Sequence, residues 1–571
     1  ERMLQSIHRG WTRIMKKSLV AVGVIVALGV VWTGASWYMG SKIESRLQEE
    51  TKRTNVQLAQ LAKESQLGAD IKLEIRDYKK GVFTSTADLA VVISEHAKSD
   101  EDKKVEEVLF KTDIDHGPFP LSDIAQFNLA PKLAAMNNTL VNNETTKDLF
   151  KLTKEPSFID MHSSLSFDGS VSGKVNINPI NYSKDGSQLT TSAFQIDFSS
   201  DKNATNISTA VKGDEVIVKK GNDETFTLKN IAGSVEGTKV KDDQYLFDTQ
   251  TLNFGDITFT SQDKSSNFTL KDTSLATKSQ IKDKLFFITQ DYSFKSLNVG
   301  GFDFGAGKFA YSIDKADPDA MLLLTKVYNS TFLPWNQNKY DNSAMIEQAV
   351  RDVLEKGLVF RIDEASLTNS SGASKLNFKL DLNAFNADAL KKENKAPSVL
   401  FNELFNNIDF NIDLSVPMLT EFRSTTQYLD VMRYSEKGLT DEDKAEIQKT
   451  TANDMAQLKT ELQQNINQIS QDEKDALPLM LLSQDGNKLS LNLNYAADKF
   501  TMNGKTYSFD EFMEVTQAPQ MLGLAAMLFG AGASSYDYDD SDYPEYSEEP
   551  DQNDAIEEPQ VEIPAAPAEN N

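Results

Sequence analysis

A chain of 571 residues with 39% hydrophobic and 25% charged side chains has the composition of a folded protein with polar faces, long enough for several average domains or one large β-rich body. The formal charge of −26 is uneven: Asp537 to Glu569 holds thirteen acidic residues and no Lys or Arg, and no basic stripe elsewhere offers a surface for nucleic acid. The lack of cysteine excludes disulfides, thiolate metal sites and cysteine nucleophiles, and His8, His96, His116 and His162 lack the paired spacing of a zinc site, so no metal or other cofactor is expected.

Residues 1–14 precede Met15, a natural start, and read as an upstream extension. Residues 15–41 read as a single transmembrane signal-anchor. From Ser18 to Ser41 there is no charge across 24 residues, roughly 36 Å as a helix against a hydrocarbon core of ~30 Å. Leu19, Val20, Val24, Ile25, Leu28 and Val31 supply the apolar length, and Trp32, Trp37 and Tyr38 cluster at the far end, where amphipathic rings suit a headgroup interface. A cleaved secretory signal is the competing reading, with Lys16-Lys17 as its basic start and Thr33-Gly34-Ala35 as small residues; the long apolar run and the lack of a clean cleavage motif favour the anchor. The short basic segment before the run favours an N-terminus inside and the bulk of the chain outside.

Residues 42–69 mix Lys, Arg and Glu with Leu47, Val56, Leu58 and Leu61 and predict a juxtamembrane helix. Over residues 70–315 the period changes to two. "IKLEIRDY" alternates Ile71, Leu73 and Ile75, and the same grammar recurs through "SFIDMHSSLSFDGSVSGKVNINPINY" and "QTLNFGDITFTSQDKSSNFTLKDTSL", with Gly, Asn and Asp at the turns. Crossover helices are nearly absent from Phe158 to Ile313, so a long antiparallel meander is predicted. Residues 316–532 mix helices and strands of the same body. The helices are "DPDAMLLLTKVYN", "NSAMIEQAVRDVLEKG" and a polar stretch from Thr440 to Ile469; a hairpin closes at Asn503-Gly504. Residues 533–571 have no periodicity and predict a disordered acidic tail. The expected fold class is α+β, dominated by β-strands: one N-terminal transmembrane helix, a long antiparallel sheet with a few packed helices, and the tail.

One motif stands out, "IDHGPFPL" from Ile114 to Leu121. His116 has no recognisable nucleophile to activate, so catalysis is not expected. The structural reading has a mechanism: Gly117 takes a positive φ, Pro118 and Pro120 hold their neighbours extended, Phe119 pins the bend into a core, and His116 hydrogen-bonds the turn.

Together with the anchor, "YKKGVFTSTADL", "IDHGPFPL", "TLVNNE" and "FTMNGKTYSFDEFM" give a sequence that resembles the YdgA family, bacterial proteins of unknown function anchored in the inner membrane. The resemblance runs from Met15 to about Met513. It implies a single-pass protein of a Gram-negative inner membrane, its bulk in the periplasm, homo-oligomeric, with no established enzymatic site. Three functions follow in order of expectation. The first is a binding or scaffold role in the cell envelope, with lipid or another apolar ligand on the long sheet. The second is a self-associating assembly factor without ligand, and the third is a hydrolase. Against the first stands an ordinary closed core covered by the helices of 342–358 and 440–469.

Overall fold

Alternation of apolar and polar residues places every other side chain of a strand on one face of its sheet, and in this chain the consequence extends almost from end to end. The computed structural model describes residues 51–515, apart from 60–68, 96–104, 332–342, 387–395, 436–437, 473–479 and the positions 53, 57, 222 and 242–243. All lie in one unit, Glu1–Val515. The apolar run of 18–41, with every proposed anchor residue, and the acidic tail lie outside the described residues. Among those described, no helix is long and apolar enough to cross a membrane.

Twenty-four described strands join in one antiparallel sheet. The chain enters through helix α1 (residues 51–59), whose Asn55 bonds the backbone of Leu73 from both ends of its amide, 2.9 Å to the carbonyl and 2.6 Å from the N–H. The first strands form a meander: β1 (Ala69–Lys80), β2 (Thr84–Glu95), β3 (Val105–His116), β4 (Lys132–Leu140), β5 (Ile159–Ser166) and β6 (Val171–Ile177). Short helices α2 (Leu121–Ala125) and α3 (Lys147–Phe150) sit in its connections. Their buried residues, with Leu58 of α1, Leu73, Val91, Val108, Ile114, Leu149 and Ile159 among them, form a closed core. At about 25 cal/mol per Å² their burial contributes strongly to holding the fold.

The hairpin β7 (Asn181–Lys184) and β8 (Ser187–Thr191) turns on Asp185-Gly186, both at positive φ, and shares an edge of β10 (Asn206–Lys220) with β9 (Phe194–Ser200). Long strands follow in order: β11 (Glu224–Lys241), β12 (Gln244–Thr260), β13 (Phe268–Lys282) and β14 (Leu285–Phe294). The small strands β15 (Ser296–Val299) and β16 (Phe302–Asp303) fold against β13, and β17 (Ala306–Ala316) pairs with β14. The sheet then runs through β18 (Val359–Asn369), β19 (Gly372–Leu382), β20 (Phe405–Ser415), β21 (Leu481–Leu482), β22 (Lys488–Ala496), β23 (Lys499–Met502) and β24 (Lys505–Ser508), the last two turning at Asn503-Gly504.

Helices α4 (Pro318–Thr331), α5 (Ser343–Glu355), α6 (Pro397–Leu404), α7 (Val416–Tyr434), α8 (Asp441–Asp472) and α9 (Phe509–Val515) complete the described body. Helix α7 was not expected. Its Thr-rich sequence has no clear apolar stripe, yet Ser415 caps it by accepting from the Met418 N–H at 3.3 Å, and Pro417 sits in its first turn. The polar helix α8, expected to help cover the sheet, packs instead mainly on α7: Arg423 pairs with Asp454 at 2.8 Å and Thr451 bonds Gln427 at 2.9 Å.

Candidate functional site

The His-Gly-Pro-Phe-Pro motif is a joint between two connections. The His116 N–H donates to the Phe83 carbonyl at 2.8 Å, its Nδ1 faces the Val82 carbonyl at 3.2 Å, and its Nε2 lies 3.0 Å from the buried Ser85 hydroxyl. His116→Ala removes both side-chain bonds and is expected to cost about 1–2 kcal/mol of stability, read in denaturant unfolding. Gly117 is required for close approach and not for a positive φ. A Cβ there would lie 1.9 Å from the Lys132 carbonyl oxygen, while the Gly117 N–H donates to the Leu133 carbonyl at 2.7 Å and Lys132 donates to Pro118 at 2.9 Å. Pro120 leads into α2. Phe119 pins no core: it is 51% exposed, because the bend turns outward from the end of the strands.

Asp123 of α2 and Ser164 of β5 are both buried, and Ser164 donates to both oxygens of Asp123 at 2.7 and 3.0 Å. His162 faces Asp123 with Nε2 at 2.8 Å and Asn137 with Nδ1 at 2.7 Å. A Ser–His–Asp relay needs one ring nitrogen on the carboxylate and the other on the hydroxyl. Here both hydroxyl and imidazole converge on the carboxylate, which makes the trio a lock holding α2 to the sheet beside a polar cleft of about 330 Å³.

A larger feature appears when the strand pairings are followed across the sheet. Directly opposed residues of an antiparallel pair share a face. Starting at Met161, the partners are Val175, Ile196, Val211, Gly233, Leu252 and Leu275, then Tyr292, Phe309, Ala365, Leu376, Ile412 and Leu491. All thirteen positions are apolar, glycine or aromatic. Twelve interstrand steps of ~4.8 Å give an apolar row about 58 Å long. The neighbouring row on the opposite face runs Asp160, Asn176, Gln195, Lys212, Ala232, Asn253, Ser274, Ser293, Lys308, Ser366, Lys375, Asp413 and Ser490. Every residue but Ala232 is polar, so the sheet is amphipathic along its length.

The apolar row is not sealed as a core is. Val175 and Leu491, near its ends, are buried, but the residues between them are half-buried and Phe309 is 40% exposed. Over the C-terminal strands a second row lies beside it, in which Tyr311, Ile362, Phe378, Phe410 and Leu493 face one another. Phe378 stands with its ring centre 6.2 Å from those of both Phe360 and Phe410. Helices bank this floor on two sides. On one, α7 places Met418 against Ser374 with a 2.9 Å O–H···S contact, and Phe422 meets Phe304 edge-on at 5.4 Å. On the other, Ala320 and Met321 of α4 and Val353 of α5 pack near Ile313 and Phe360, and Phe401 of α6 stands on Tyr495 at 4.8 Å. Polar groups also enter this face, among them Gln250 and Thr277 in the row of Gln290, where the Tyr292 hydroxyl donates to Gln290 at 2.9 Å and the Tyr311 hydroxyl donates to the same oxygen.

The polar face carries its own ion-pair network. Arg361 pairs with Asp314 and with Asp363, and the buried Ser312 hydroxyl donates to Asp363. Burial pushes the Asp363 carboxyl up, but the Ser312 hydroxyl and the Arg361 guanidinium outweigh it and hold it below its ordinary range. A depressed folded value gives stability that is present above the unfolded carboxylate range of about 4 and is lost as pH falls through the folded value. Asp363→Asn is therefore expected to lower the melting temperature at neutral pH and to flatten the acid limb, so that the variant and parent profiles converge below about pH 4.

The sequence signals for this site were the alternating strands and the abundance of phenylalanine, 32 in the chain. Which of those residues align in one row depends on register, and no local pattern reports it.

The chain matches the family described as "Bacterial protein of unknown function (DUF945)" over residues 15–510. It is 28% identical to Protein YdgA of Escherichia coli strain K12 over 526 residues, covering 89% of this chain and 98% of that protein. It is also 24% identical to the uncharacterized protein YihF of the same strain over 502 residues, covering 86% of this chain and 97% of that one. An uncharacterized protein of Haemophilus influenzae is 27% identical over 165 residues, 28% of this chain and 42% of that protein. No solved structure matches. With the family match extending over most of its length, the chain belongs to the YdgA family of bacterial proteins of unknown function, DUF945.

Proposed function

We propose that this protein is a membrane-anchored binding protein of the bacterial cell envelope, with its sheet in the periplasm and an apolar ligand, a lipid acyl chain first among candidates, held along the apolar row. One observation carries the reading: a continuous apolar row crosses thirteen strands, stays half-exposed between its ends, and is banked by α7 on one side and by α4 to α6 on the other. A closed core would bury those residues as fully as Leu73, Val91 and Ile114 are buried in the first strands. The row's length of about 58 Å exceeds the ~30 Å hydrocarbon thickness of a whole bilayer, so an extended acyl chain fits on it without folding back. The uncharged run of 18–41 supplies the tether.

The test is mass spectrometry of organic extracts from the full chain, purified in detergent and exchanged until bulk phospholipid is removed. Near-stoichiometric retained lipid supports the reading. A lipid-free protein that resists reloading with phospholipid opposes it and moves protein partners to the front.

A further inference from the structure

The three odd-numbered connections at the start of the meander, β1 to β2, β3 to β4 and β5 to β6, all lie at the same end of their strands, as antiparallel order requires. That end is apolar and uncovered among the described residues. Val82 and Phe83 project from the first connection and Phe119, Leu121, Phe127 and Leu129 from the second; Phe127 is 93% exposed and the least exposed, Phe119, is 51%. The connections are fastened together, by His116 to the carbonyls of Val82 and Phe83, and by Lys132 Nζ to Ser166 Oγ at 2.8 Å. From Gly117 to Pro131 the only charged residue is Asp123, which is buried on His162 and Ser164. Exposed Lys79 and Lys80 border the apolar tips; Asp77 and Asp168 lie nearby, the latter opposed by Lys132.

We propose that this end of the sheet is a second membrane contact, docking into the interface of an anionic bilayer beside the proposed anchor. Large apolar side chains on braced loops, flanked by lysines, suit a surface where acyl chains and phosphates lie within 5–10 Å of one another. The reach of the chain permits it. Asn55 is bonded to Leu73, and with residues 51–55 in helix α1 the segment from Lys42 to Asn55 spans at most about 38 Å, whereas Leu73 to Gly81 is about 26 Å of strand. Any bilayer entered by the 18–41 run is within range of the patch. The contact does not require the apolar row to hold lipid.

The chain has no cysteine, so Ala130→Cys, beside Leu129, takes a single environment-sensitive fluorophore, with Ser371→Cys in the β18–β19 turn as control. The full chain is reconstituted into vesicles of phosphatidylglycerol and phosphatidylethanolamine doped with nitroxide lipid. The label at 130 is expected to be quenched at least about twofold more than the control. Phe127→Ser with Leu129→Ser is expected to erase the difference while circular dichroism is unchanged. Lys79→Glu with Lys80→Glu, which leaves the apolar tips in place, is expected to weaken quenching in anionic vesicles more than in zwitterionic ones. Equal quenching at the two labels overturns the proposal. So does a label at 130 that is shielded in lipid-free detergent with a dependence on protein concentration, because the patch is then covered by a second copy.

Discussion

Phe378→Asp is expected to leave the protein folded and to strip it of apolar ligand. In the unliganded sheet residue 378 is half-buried and can send a carboxylate toward solvent. The structural loss is its ring contacts with Phe360 and Phe410, about 1–2 kcal/mol. With an acyl chain lying on the row, that carboxylate must be desolvated without a partner, at about 3 kcal/mol, and affinity falls roughly a hundredfold. Lys379→Asp, one residue on and on the polar face, is expected to leave binding unchanged. Lipid retained per protein, measured beside a urea unfolding curve for each variant, separates the two effects. Loss of ligand and stability in equal measure from both variants would argue that the row is ordinary packing.

Gly117→Ala is expected to be among the most damaging single substitutions in the chain. The new Cβ would lie 1.9 Å from the Lys132 oxygen and 2.8 Å from the Leu133 oxygen, and both obstacles are backbone. No rotamer relieves the clash, so β4 or the loop must shift, breaking the Gly117-to-Leu133 and Lys132-to-Pro118 hydrogen bonds. A loss of about 3 kcal/mol or more is expected, visible as an early melting transition. A Gly117→Ala variant with unchanged stability would show that the connection has slack the geometry denies.

Local chemistry made much of the sheet legible. Alternation in Ile71, Leu73 and Ile75 identified β1, and Asn503-Gly504 identified the final hairpin, because period and turn residues are written in a few adjacent positions. Turns at Asp283-Lys284 and Ala497-Asp498 take positive φ without glycine, so their sequences announce them less clearly. Helix α7 was missed for a related reason: its threonines satisfy themselves by donating to carbonyls four residues back, as Thr420 does to Val416 at 2.7 Å, and they mask the helical signal. The His116 motif was legible as a joint, but the reason for Gly117 and the outward aim of Phe119 were not. The first depends on how closely Lys132 and Leu133 of β4 approach Gly117, which the motif's own residues do not report. The apolar row was the least legible of all, since it links residues from Met161 to Leu491 through twelve registers.

The most direct test of an open, ligand-bearing row is photo-crosslinking in living cells. A photoreactive phenylalanine analogue is placed at Phe378 in the full chain, with a matched probe at Lys379 on the polar face. Irradiation is expected to give a phospholipid adduct at 378, identified by mass spectrometry of the purified peptide, and none at 379. An adduct at 378 to another segment of the same chain, with no lipid, would contradict the account and make the row the floor of a closed core.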